Sequence, residues 1–316
     1  FQGSRTYTLT VINAKDKAGN SINSAYTQFV LPEQALANDI VINEILPDPN
    51  AGSVDFVEIY NRSRKIIDLS QLTLSSFDTL TNQLSSVQYI STVRTIIAPE
   101  QYIVLSTNSS AIKSQYQTPS PSGFIDMAGF PGMNIASGIV VLADTSKMVI
   151  DRLDYKQDMH FPLLNETKGV SLERIDADRK TNDRNNWHSA AASAGYATPA
   201  YKNSQAIDSG IGKEVTLSTE IFSPDNDGYN DVLSINYSFD TPGNIANVSI
   251  YTSTGILIRN LVSSDLLGNS GNYVWDGINN NHQLCKIGPY IVYFQIFNPS
   301  GAVKNYKKVV VLAHKN

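Results

Sequence analysis

Residues 40–63 constrain this chain more than any other stretch. Ile40, Ile42 and Glu44 alternate there with Val41, Asn43 and Ile45. Period-two alternation marks an extended strand, because successive side chains point to opposite faces. The run breaks at Pro47-Asp48-Pro49-Asn50, with Gly52 following, residues that lack an amide hydrogen or admit the backbone angles of a turn. Residues 55–60 resume the extended pattern and 69–76 read as a third strand. Further strands are expected at 88–92, 102–106, 138–143 and 148–155, with one short helix at 109–116. Pro119, Pro121 and Pro131 mark 117–131 as a surface loop. Short strands joined by turn-rich loops predict an all-β fold of antiparallel sheets packed as sandwiches.

The chain of 316 residues is long enough for two or three domains, each able to bury a core. Its 16 Tyr against 2 Trp, and the scarcity of amphipathic helical patterns, agree with the all-β reading. A formal net charge of −5 with no basic run argues against nucleic-acid binding through an electrostatic footprint. The single Cys285 excludes an internal disulfide framework and any multi-cysteine metal site. No apolar run reaches the roughly 18 to 20 residues of a membrane-spanning helix. Phe1-Gln2-Gly3-Ser4 reads as the remnant of a cleavable tag, so the chain is expected to begin inside a longer protein.

Three parts follow in order. Residues 5–34 hold two strand-like runs around Ala14-Lys15-Asp16-Lys17-Ala18-Gly19-Asn20, which resembles the last hairpin of a bacterial Ig-like domain. Such a hairpin is marginal alone in water, so it is expected to lean on the next domain or on a second copy of the chain. A dimer formed through it would be a product of truncation. A linker at 32–38 leads to the second module, 39–205, which closes with Gly169-Val170-Ser171-Leu172-Glu173-Arg174, then Asn186-Trp187, then Thr198-Pro199-Ala200-Tyr201-Lys202-Asn203. With the opening strands, these motifs resemble the lamin tail domain of bacterial proteins, a compact Ig-like β-sandwich; Ala200 stands where that family usually has Gly. A second linker, 206–213, precedes the third module, 214–316. Its residues 221–231, Trp275-Asp276-Gly277 and Gly288-Pro289-Tyr290 resemble a FlgD-type Ig-like domain, a pattern found at the C-termini of exported Bacteroidetes proteins. The resemblances imply tandem Ig-like antiparallel β-sandwiches.

Catalytic spacings such as HExxH, GxSxG, a Walker loop, GxGxxG or CxxC do not occur. His160, flanked by Asp158 and followed by Pro162 and Glu166, is the best general-base candidate, against a packing or surface role. Glu44 and Glu58, on neighbouring strands, could face each other as paired carboxylates or be salt-bridged to Arg62 or Arg174. Trp187 and Trp275 read either as sugar platforms or, as the resemblances imply, as core residues. Cys285 reads as a small unreactive residue near a strand start. The densest oxygen cluster is the loop 223–231. Asp225, Asp227, the Tyr229 carbonyl and Asp231 fall at the third, fifth, seventh and ninth positions of a calcium loop, with Gly228 at the sixth. Ser223 and Ser234 stand where strong carboxylates belong. Calcium at about 10⁻⁴ to 10⁻³ M affinity and an Asx-rich turn capping its own backbone both remain open, the missing carboxylates favouring the turn.

The expected function is that of a non-catalytic, extracytoplasmic module, secreted or on the cell surface, meeting a cell-envelope protein or a glycan. Alternatives are the accessory region of an exported hydrolase, a carbohydrate-binding module, or a type IX secretion sorting region. The run 290–297 is apolar on both faces, so Ile291, Tyr293 and Phe297 are expected to be covered either by the second module, a neighbouring chain or a partner, or by a local loop.

Overall fold

Alternation and turn residues become strands almost throughout. The computed structural model describes residues 1–162, 164–206, 214–225 and 230–313, so the expected linker lies outside them beyond Ala206. Two units are compact: residues 1–47, 51–114 and 119–157, and residues 48–50, 115–118 and 158–316.

In the first unit, β1 (Thr6–Lys15) and β2 (Ser21–Val30) form a two-stranded antiparallel sheet of their own. Tyr7 pairs with Phe29, Leu9 with Thr27 and Val11 with Ala25, which puts these apolar side chains on one face. Leu9 and Val11 stay 54% and 44% exposed. The hairpin is tied at its base, where Ile66 N donates to Ser4 Oγ (2.8 Å) and Arg94 Nη2 to Val30 O (2.7 Å). It therefore leans on the next module at one end only.

The sandwich that follows contains β3 (Ile40–Leu46), β4 (Phe56–Asn61), β5 (Ile67–Asp68), β6 (Leu72–Asp78), β7 (Gln83–Tyr89) and β8 (Ile96–Ile97). After these come β9 (Tyr102–Ser106), the helix α1 (Ser109–Gln115), β10 (Phe124–Asp126), β11 (Ser137–Asp144) and β12 (Val149–Lys156). Strands β10, β9, β4 and β3 lie side by side, and β12, β11, β6 and β7 form a second sheet. Ile42, Phe56, Ile59, Leu74, Leu142 and Leu153 are fully buried.

Every residue of β3 is buried, so alternation does not separate inside from outside there. The register slips between Ile42 and Glu44, leaving Asn43 as the extra residue of a β-bulge. The Ile42 amide donates to Asp151 Oδ2 of β12 at 2.8 Å, a buried tie between the sheets. Two strand expectations shift. Residues 69–71 form a 3₁₀ turn, because Asp68 accepts the Ser70 amide and caps it (3.0 Å), and the strand starts at Leu72. The strand expected at 88–92 is β7, which ends at Tyr89.

The second unit opens with the antiparallel pair β13 (Leu172–Arg174) and β14 (Trp187–Ser189). Its sandwich holds β15 (Val215–Leu217), β16 (Ile221–Phe222), β17 (Leu233–Ser238), β18 (Ile245–Thr252), β19 (Leu257–Leu266), β20 (Ser270–Trp275), β21 (Gly288–Phe297) and β22 (Val303–Leu312). Three strands run β15-β17-β20 and five run β16-β22-β21-β18-β19. Trp275, Phe222, Phe294, Tyr237 and Tyr290 fill the space between them. Strand β20 forms although it contains Gly271 and Asn272, which are poor strand formers. A Cβ at Gly271 would meet the Tyr237 hydroxyl at 2.5 Å, so packing selects glycine there.

Ile291, Tyr293 and Phe297 face outward on β21 and are half-buried. Cross-strand rows account for this: Ile291 lies between Tyr251 and Val309, and Phe297 between Ile245 and Val303. Lys307 lies over the Tyr293 ring (5.9 Å). Neighbours within the same sheet thus cover part of this face. Phe294→Ala is expected to cost about 3–5 kcal/mol in urea unfolding. Val309→Ala, at a side chain 62% exposed, should cost under about 1 kcal/mol.

Candidate functional site

The densest polar constellation lies at β13. Glu173 is fully buried. Its Oε1 accepts from Thr198 Oγ1 (2.7 Å), and its Oε2 from Ser204 Oγ (2.7 Å) and the Gln205 amide (2.9 Å). Burial pushes its carboxyl up from the ordinary range, against the pull of these donors. The next residue, Arg174, is 2% exposed and donates to Asp176 O, Arg179 O and Thr181 Oγ1. Asn186 receives the Asp176 amide and returns a bond to Asp176 O, both at 2.9 Å. Trp187 Nε1 donates to Thr181 O (2.7 Å), and Asn203 Nδ2 to Arg174 O (2.8 Å). Glu173, Arg174, Asn186, Trp187, Thr198 and Asn203 of the closing motifs are thus committed to holding loops.

The remaining candidates are equally committed. Glu44 and Glu58 stand directly opposite one another in register, and both are fully buried. Asn43 Nδ2 donates to Glu58 Oε1 at 2.8 Å. Trp187 and Trp275 are 3% and 0% exposed, and Trp275 packs against Phe222 and Tyr290 at 5.2 and 5.1 Å between centroids. Neither can serve as a sugar platform. Cys285 is buried, with its thiol pushed up by burial, which suppresses the reactive thiolate.

His160 lies in a different setting from that suggested by its flanks. Asp158 pairs with Arg184 (2.9 Å). The ring is 8% exposed, and its Nδ1 stands 2.9 Å from Ser189 Oγ. A histidine beside a serine is the start of a nucleophile–base pair. Here Ser189 is fully buried, its oxygen accepts the Phe161 amide (2.9 Å), and it is the one hydrogen-bond partner of His160 among the described residues. Burial, and secondarily His188, push His160 down to about 4; burial lowers His188 as well.

In the Asp-rich loop, Ser223 N donates to Asn230 O (2.9 Å) and Asp225 N to Ser223 O (2.8 Å), closing the loop at its base. Asp225 and Asp231 stand at its two ends, while Asp227 and Tyr229 lie outside the described residues. Among the described residues no group of three or more His, Cys, Asp or Glu could hold a metal.

Residues 33–157, which hold the β-sandwich of β3–β12, match the family model of the Lamin Tail Domain, an Ig-like fold. A search of the curated proteins finds no match. Three solved structures are similar at low identity. CopC from Methylosinus trichosporium OB3b is 15% identical, over 33% of this chain and 96% of its own, with a TM-score of 0.23. Dimeric latent PorU from Porphyromonas gingivalis is 10% identical, over 100% of this chain and 29% of its own, at 0.27. PorZ, described as an essential bacterial surface component of the type-IX secretion system of Porphyromonas gingivalis, is 13% identical, over 96% and 45%, at 0.25. At such scores none bears on this chain's activity.

Two outcomes are expected. Glu173→Gln should be tolerated within about 1.5 kcal/mol, because its oxygen can accept the Gln205 amide while Thr198 turns to accept. Glu173→Leu should cost about 3–5 kcal/mol by stranding three buried donors; chemical denaturation at pH 7 checks both. For His160, the unfolded chain takes up a proton below pH about 6.5 that the folded chain refuses until about 4. Stability therefore falls as pH falls through that window, by roughly 2 kcal/mol at pH 5 from this group. His160→Gln should flatten that slope in melting curves between pH 7 and 5.

Proposed function

We propose that this chain is a non-catalytic, extracytoplasmic portion of a larger exported protein. It comprises a lamin tail module at 39–205 and a FlgD-like Ig-like module at 214–316, preceded at 5–34 by the closing hairpin of another Ig-like domain. Its role is to position neighbouring domains and present loops to a partner at the cell envelope.

One observation carries this reading. The residues with chemistry to offer, Glu173, Glu58, His160, Ser189, Trp187, Trp275 and Cys285, are buried, and the hydrogen bonds of the polar ones go to their own framework. Catalysis needs a group that can reach a substrate. A sandwich whose polar groups are spent internally leaves its end loops as the surface for function. The match to the lamin tail family over 33–157 supports the same reading.

Antibody against this chain, used with a membrane-impermeant label on intact source cells, should find it labelled on the surface or released into the medium. The purified chain should give no turnover on nucleotide, ester or glycan substrates above the buffer rate. Retention in the cytosol, or turnover abolished by His160→Ala or Glu58→Gln, would overturn the proposal.

A further inference from the structure

In the second unit, the start of β15, the end of β17, the end of β21 and the start of β22 meet at one end of the sandwich. A cleft of about 560 Å³ opens there, lined by Phe239, Asp240, Asn298, Lys304, Tyr306 and Glu214 among others. That volume lies in the range of small-molecule sites.

Two half-exposed rings form its apolar part. Phe239 stacks on Tyr237 with centroids 5.8 Å apart and planes 14° apart, and meets Phe294 edge-on at 6.5 Å. Tyr237 and Phe294 belong to the core, so Phe239 is braced from behind. Tyr306 stands 6.4 Å from Phe239 with its plane tilted by 36°. The polar part is mixed. Asp240 is exposed, and its carboxylate has no hydrogen-bond or ion partner among the described residues. Asn298 Oδ1 accepts from Ser300 Oγ and the Ala302 amide, both at 2.8 Å, which fixes the amide group and leaves its Nδ2 as a donor. Lys304 pairs with Glu214 at the rim and its ammonium lies over one face of Tyr306, 5.3 Å from the centroid, which leaves Phe239 as the main platform.

We propose that this cleft binds a neutral carbohydrate chain, one pyranose ring resting against Phe239 and Tyr306 while its hydroxyls bridge Asp240 and Asn298. A pyranose has two characters that match the two parts of the cleft. The C–H bonds on its face carry partial positive charge and suit the negative face of an aromatic ring. Its hydroxyls both donate and accept, which suits a carboxylate acceptor beside an amide donor. The one unpaired charge is negative, so an anionic ligand is disfavoured. Rings tilted by 36° make no flat slot, so a planar aromatic ligand fits poorly. Rings held by the core lose little freedom on binding, which limits the entropic cost. The sequence directs attention to Trp187 and Trp275 as sugar platforms, and both are buried; the accessible aromatics of this cleft are Phe239 and Tyr306. This site stands independently of the export reading.

The test is titration of the ¹⁵N-labelled full chain with cellohexaose, xylohexaose, mannohexaose and chitohexaose, followed by amide NMR shifts. At least one sugar should shift amides within 238–241 and 298–306 saturably in the millimolar range. Phe239→Ala and Asp240→Ala should each weaken that response about tenfold or more, and Val309→Ala should leave it unchanged. Asp240 is exposed and unpartnered, so its variant should keep the wild-type melting temperature even if Phe239→Ala unfolds. Three outcomes would overturn the proposal: no saturable shift from any of the four sugars up to about 10 mM, a response that persists at full affinity in Asp240→Ala, or a response of these amides only to oligolysine or polygalacturonate.

Discussion

A fully buried carboxylate organises the stretch between β12 and β15. Removing a carboxylate from water costs several kcal/mol unless good hydrogen bonds replace the solvent. Glu173 obtains three, from Thr198, Ser204 and the Gln205 amide, all within one stretch of eight residues. Arg174 follows it on the same short strand, and neighbouring strand residues point to opposite faces. Its guanidinium secures the loop 176–181 on the other side. Two consecutive charged residues thus fasten two separate loops. The same stretch reaches further: Gln205 Nε2 donates to Leu267 O (3.2 Å), and Asn269 Nδ2 donates to Gln205 O (2.6 Å). A Cβ at Gly268 would lie 2.5 Å from Ser204 O, so the chain passes too closely there for any side chain. One polar network therefore fastens the tail of the closing motifs against the sandwich formed by β15–β22.

The fold was legible because its main signals are local. Period-two alternation, Pro and Gly punctuation, and the closing motifs each need only a few neighbouring residues. What was not legible depends on distant partners. Strand β20 carries Gly271 because the Tyr237 hydroxyl occupies the space above it. Tyr237 lies more than thirty positions away, so no window in the sequence reveals the reason. The bulge at Asn43 is likewise set by Asp151, which takes the Ile42 amide from another sheet. Asp158 looks like a partner for His160 in sequence but turns to Arg184. The candidate cleft was hidden for the same reason. Phe239 and Asn298 come from two connections and Tyr306 from β22, and only the closed sandwich brings them together.

The N-terminal hairpin shows what alternation can and cannot establish. Tyr7, Leu9 and Val11 on β1 face Phe29, Thr27 and Ala25 on β2, the pattern of strands that cover a core. Two strands cannot enclose an interior, so the pattern requires a second layer to be realised. Phe1 packs edge-on against Tyr7 (4.6 Å) and Phe29 (5.5 Å) and supplies a little of that layer at the base. Toward the tip the apolar face stays open. The alternation reports how the strands are built to pack, while their burial depends on what else is folded beside them.

Strand β21 gives the complementary lesson. Tyr290, Val292, Phe294 and Ile296 enter the core, and the intervening Ile291, Tyr293 and Phe297 face away from it. A strand apolar on both sides is usually covered on both. Here the outward residues sit in rows with Tyr251, Val309, Ile245 and Val303, and Tyr251 meets Tyr293 edge-on at 6.2 Å. Such cross-strand pairs contribute roughly 0.2–1 kcal/mol each without a second layer. The aliphatic stem of Lys307 can cover apolar surface while its ammonium remains in water over the Tyr293 ring. An outer face built this way is half-buried by its own sheet. Apolar content on both sides of a strand therefore does not by itself require a partner when aromatic and β-branched neighbours on the adjacent strands can shield one another.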